Sequence, residues 1–123
     1  MNNRRLPTLI AWCLCAALVL TTARELRAHA ILVETSPKSG ATVKGPDVPI
    51  RLRFNVRVDG ERSRVTLVRP AAPAKQLALD KQATPDVLTT NATGLIPGKY
   101  KLQWQVLAAD GHISRGELPF NVQ

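Results

Sequence analysis

The sequence predicts an all-β protein, a sandwich of about seven short strands forming a single domain. Three observations carry that expectation. Apolar residues alternate with polar ones in several short runs, the signature of half-buried strands. Clusters rich in proline and glycine separate those runs. Beyond residue 28 no segment sustains a helical period, and there is no internal repeat or low-complexity tract to suggest a second domain.

Residues 1–28 stand apart from this pattern. Arg4 and Arg5 precede twelve uncharged, apolar residues from Leu9 to Leu20, the layout of a secretory signal. A membrane span needs about 20 apolar residues, so removal is expected rather than permanent anchoring. Local rules leave the cut open. Ala23 offers an early site, and Ala28-His29-Ala30 fits the small-x-small rule for cleavage after Ala30. Cleavage after Ala28 would place Leu26 at the minus-three position. With 1–28 as signal and 29–123 as mature domain, thirteen of 17 basic and eight of 9 acidic residues remain, and the net charge falls from +8 to +5. No nucleic-acid partner is needed to explain that balance, which suits a basic, soluble surface. Cys13 and Cys15 both fall in the signal, without the small residues that precede a lipidated cysteine. The mature domain therefore has neither disulfide nor thiolate ligand.

In the mature region, Ile31 to Glu34 is a short strand ended by Ser36-Pro37-Lys38-Ser39-Gly40. Ile50, Leu52, Phe54 and Val56 then point one way, and Arg51, Arg53, Asn55 and Arg57 the other. Asp59-Gly60 is a turn signal before a β-prone run from Ser63 to Arg69, which Pro70 and Pro73 interrupt. Gln76 to Asp80 and Asp86 to Thr90 are weaker strands. Pro97-Gly98 leads into a strand with Leu102, Trp104 and Val106 on one face, and Leu118, Phe120 and Val122 alternate in the last. Tyr100, just after the Pro-Gly turn, resembles the corner tyrosine of immunoglobulin-like sandwiches.

Two histidines, His29 and His112, carry the chemical interest. A histidine at a free N-terminus chelates a metal through its α-amine and imidazole Nδ1 in a six-membered ring, so cleavage after Ala28 would create such a group. Both nitrogens lose protons readily to a metal at neutral pH. Asp110 and His112, one residue apart, share a face on a regular strand, and Gly111 lets the backbone bend between them. The set is nitrogen and oxygen without sulfur, which suits tetragonal cupric copper. Plainer readings coexist with this one. Asp110-Gly111 is an ordinary turn dipeptide, His112 fits a surface turn, and a cut after Ala30 would discard His29.

The segment from His29-Ala30-Ile31-Leu32 through Ser36-Pro37-Lys38-Ser39-Gly40 resembles the start of CopC-like periplasmic copper-resistance proteins. The tail is similar too: Leu95, Pro97-Gly98, Tyr100, Trp104, Asp110-Gly111-His112, Gly116, Phe120 and Val122. This resemblance spans essentially all of the mature chain, with a weaker middle. It implies a Greek-key, immunoglobulin-like sandwich, cleavage after Ala28, and periplasmic residence. It also implies one Cu(II) per chain held by His29, Asp110 and His112, and a CopD-like inner-membrane partner for a monomeric, non-enzymatic carrier. Two departures stand out. The methionine-rich cuprous loop of some relatives has no counterpart, Met1 being the only methionine. The glutamate that some relatives place beside the cupric site is replaced by the stretch Asn55-Val56-Arg57.

Other residues fit plainer roles. Trp104 suits a core, and Arg51, Arg53, Arg57, Arg62 and Arg64 suit a solvated sheet face with partner docking as the alternative. Two further function classes remain consistent with the sequence. Copper oxygenases also use an N-terminal histidine with a second one, and a metal-free sandwich would serve as an interaction module.

Overall fold

Period-two alternation becomes strand over most of its predicted length, although the run expected to reach Arg57 stops at Phe54, where Asn55 and Val56 bend the chain. The structure is a computed structural model and describes residues 29–123; the leader expected for residues 1–28 lies outside the described residues. The described residues form eight strands: β1 (Leu32–Ser36), β2 (Thr42–Val43), β3 (Val48–Phe54), β4 (Val58–Arg69), β5 (Ala72–Leu77), β6 (Val87–Ala92), β7 (Gly98–Ala108) and β8 (Ile113–Val122). They build two sheets, one of three strands in the order β1-β3-β6 and one of five in the order β2-β8-β7-β4-β5. All pairings are antiparallel except the short parallel contact of β2 with the end of β8.

The core lies between the inner faces. Ile50, Leu52 and Phe54 from the smaller sheet meet Val65, Leu67, Leu102, Val106, Leu118 and Phe120 from the larger one, and each is buried. Trp104 joins them, edge-on to Phe54 with ring centroids 5.3 Å apart. Tyr100 is buried at one end of the sandwich, where its hydroxyl donates to the Ile96 carbonyl at 2.8 Å and closes the corner that its sequence position suggests.

Three local expectations are revised. Asp59-Gly60 is not a turn between strands but lies inside β4, where the pairing with β7 shifts register between Asp59 and Arg64. Asp59 Oδ1 accepts the N–H groups of Glu61 and Arg62 there. The Ser63 hydroxyl donates to the Asp59 carbonyl and accepts the Leu107 N–H, so side chains repair the gap in the ladder. The strand predicted from Gln76 instead begins at Ala72 and contains Pro73; β5 is an edge strand, where a missing N–H costs no ladder bond. β2, too short to carry a period, is the eighth strand.

The expected arginine face divides between the sheets. Glu34 on β1 bonds both Arg51 and Arg53 of β3 at 2.9 Å, whereas Arg62 and Arg64 belong to β4. The charge is thus partly neutralised on one sheet and dispersed on the other.

Candidate metal centre

Three chain segments converge at the end of the sandwich away from Tyr100. They are the residues entering β1, the link from β3 to β4, and the turn from β7 to β8. The Ala109 N–H donates to the Arg57 carbonyl at 3.1 Å, and the Asn55 N–H donates to the Ile31 carbonyl at 3.0 Å, so each segment touches another.

The β7–β8 turn fixes two of the predicted residues. The Ala108 N–H bonds the His112 carbonyl at 2.8 Å and the Gly111 N–H bonds the Ala108 carbonyl at 2.9 Å, closing a three-residue hairpin loop. Gly111 sits at φ +90°, a conformation that a side chain disfavours. This loop brings Asp110 onto His112 at both ends of the carboxylate. Oδ1 accepts the His112 backbone N–H at 3.0 Å, and Oδ2 lies 3.1 Å from its Nδ1. The backbone N–H of His112, then its imidazole, hold the Asp110 carboxyl below its ordinary pKa. With Nδ1 facing the carboxylate, Nε2 is the His112 ring nitrogen outside that contact.

His29 reaches the same place from the other sheet. Its ring stands edge-on to that of His112, with centroids 5.4 Å apart and planes at 68°. Continuing the alternation of β8 backward explains the meeting. Leu118, Gly116, Ser114 and His112 fall on the face that lines the core, and His112 is the first of them beyond the covered region. Ala30, next to His29, is itself buried in the core cluster.

The structure therefore brings His29 and His112 together and ties Asp110 to His112. Among the described residues, no three His, Cys, Asp or Glu side chains form a ready-made metal-holding group. His112 is more than half exposed. A surface hollow of about 520 Å³ lies on the far face of the five-stranded sheet between Arg64, Thr66, Gln103 and Arg115, away from the two histidines. Such a pair of imidazoles has the chemistry to take a small ion.

Two residues at this end were not assigned a role from sequence. Asn55 Oδ1 accepts the Ile31 N–H at 2.7 Å, and Ser114 Oγ accepts the Ala30 N–H at 3.1 Å. Ser114 follows His112 by two residues and so shares its face, a signal present in the sequence. Nothing local marks Asn55.

Comparison with known proteins gives concordant matches. A family model described as the CopC domain matches residues 32–123. Protein YobA of Escherichia coli strain K12 is 29% identical over 117 residues, covering 88% of this chain and 92% of that protein. Copper resistance protein C of Xanthomonas campestris pv. juglandis is 29% identical over 104 residues, covering 78% and 81%. The crystal structure of CopC from Methylosinus trichosporium OB3b superposes with a TM-score of 0.69 at 31% identity, covering 77% of this chain and 94% of that one.

Proposed function

The chain belongs to the CopC domain family of copper-resistance proteins, and from that premise we propose that it is a periplasmic carrier of one cupric ion. On this reading the leader is removed after Ala28, and His29 becomes the first residue. Its α-amine and imidazole chelate the ion, and Nε2 of His112 adds a third nitrogen. Asp110 is the carboxylate that orients His112 and balances the charge of the cation. Nitrogen-rich tetragonal donor sets without sulfur favour cupric copper, which also heads the divalent affinity order. The carrier holds the ion out of circulation or passes it to a CopD-like protein of the inner membrane.

The observation that carries this proposal is the edge-on approach of the His29 and His112 rings at 5.4 Å, with His112 held by Asp110. Two lone histidines from opposite ends of the mature chain meet at an exposed site, where an edge-on ring contact alone contributes little. Both are exposed, and a bound ion gives their meeting a purpose. Only Met1 could supply a thioether, so a separate cuprous site is not part of the proposal.

The test is direct. Intact mass of the exported protein should match a chain starting at His29, and titration should reach one equivalent of cupric ion. His29→Ala, or acetylation of the new N-terminus, should remove most of the affinity. Unchanged binding after acetylation would refute the amine ligand, and a mature chain starting at Ile31 would refute the site.

A further inference from the structure

The chain beside His29 is fastened by groups that donate nothing to a metal. Asn55 grips Ile31 from both sides: its side-chain Oδ1 accepts the Ile31 N–H at 2.7 Å, and its own N–H donates to the Ile31 carbonyl at 3.0 Å. One residue earlier, Ser114 Oγ accepts the Ala30 N–H at 3.1 Å, and Ala30 as a whole is 4% exposed within the core. The two anchors belong to different sheets, since Asn55 directly follows β3 and Ser114 lies in β8. The segment is therefore fixed across the open end of the sandwich. His29, one residue beyond the second anchor, has only its own torsions left to settle before its ring meets His112.

We propose that Asn55 and Ser114 are positioning residues for the copper site, holding Ala30 and Ile31 in the metal-free protein so that His29 is presented to His112 before an ion arrives. The inference rests on the copper reading above and adds to it the groups that preorganise the site. Without the two side-chain acceptors the segment would sample many conformations, and metal binding would have to order it, which weakens affinity although every donor remains. Asn55 thus has a task of its own here. It acts on the backbone of Ile31 and not on the ion.

The exported, processed protein is compared with Asn55→Leu, Ser114→Val and the double variant. The backbone bond from Asn55 N–H to Ile31 survives these changes, so the β1–β3 pairing is kept. Cupric affinity is read by competition with a chromophoric chelator, and site geometry by electron paramagnetic resonance. Each lost hydrogen bond should weaken binding about fivefold, equivalent to about 1 kcal/mol, and the double variant roughly 25-fold. Ser114→Thr, which matches valine in shape and keeps the hydroxyl, should bind like the parent. In the metal-free protein, amide exchange at Ala30 and Ile31 should quicken in the variants. Equal affinity for Ser114→Val and Ser114→Thr, together with parental affinity for Asn55→Leu, would overturn the positioning role alone. A parent that takes up no cupric ion would overturn the copper reading and this proposal with it. Amide exchange would still report separately whether the clamp forms.

Discussion

Replacing Gly116 with alanine should overpack the core and destabilise the fold. Gly116 pairs with Trp104 across the β7–β8 ladder, and the indole occupies the space where a side chain at Gly116 would stand. A Cβ built there would clash with Cζ2 of the indole and lie 2.6 Å from Cε2 and 3.0 Å from Nε1. The ring cannot easily swing aside, because Trp104 is 8% exposed and edge-on to Phe54 at 5.3 Å. Overpacking of this kind costs about 1–3 kcal/mol. For a domain of this size each kcal/mol lowers Tm by roughly 4–8 °C, so a fall of roughly 5–20 °C is expected. Thermal unfolding followed by circular dichroism measures it directly. The indole Nε1 is buried without a hydrogen-bond partner, so Trp104→Phe both opens space and removes an unsatisfied donor. Adding Gly116→Ala to Trp104→Phe should therefore cost far less than adding it to the parent. A Tm within about 2 °C of the parent for Gly116→Ala, or strict additivity in the double variant, would refute the packing argument.

Three further outcomes follow from the same geometry. Tyr100→Phe removes the hydroxyl that donates to Ile96 at 2.8 Å, and should lower stability by about 1 kcal/mol while leaving cupric affinity at the opposite end unchanged; an unaltered unfolding curve would contradict the corner. Gly111→Ala places a methyl group in open space but at φ +90°, so its cost of about 1–2 kcal/mol is conformational; affinity should fall with it, because the turn sets Asp110 against His112, and a variant matching the parent in both would refute that link. Glu117 is held below its ordinary pKa by the Gln103 amide first and then by Lys101. A depressed folded-state pKa gives stability that is present above the ordinary carboxylate range and lost as pH falls through the folded value. The stability gap between parent and Glu117→Gln, measured by denaturant titration, should accordingly close on acidification; a gap independent of pH would refute the assignment.

What the sequence makes legible here is whatever depends on near neighbours. Ile50, Leu52 and Phe54 alternate with arginines, and β3 buries those three because the period alone fixes the face. Tyr100 after Pro97-Gly98 was readable as a corner for the same reason. Asp59-Gly60 was not, since its place within β4 depends on Ser63 reaching Leu107, which lies 44 residues further along the chain. β5 could not be bounded either, because Pro73 is harmless only on an edge, and edge position is a property of the whole sheet.

The same division runs through the proposed site. The Asp110-Gly111-His112 turn was readable because its hydrogen bonds span two and three residues. The approach of His29 to His112 was accessible only through family resemblance, and the hold on Ile31 was not accessible at all. In sequence Asn55 carries no local signal; in the fold it is the acceptor for a backbone N–H 24 residues away. A carboxylate at this position would add charge beside the proposed ion, whereas the neutral amide that binds the backbone adds order without charge. Affinity that rises in Asn55→Glu and falls in Asn55→Leu would separate the two contributions.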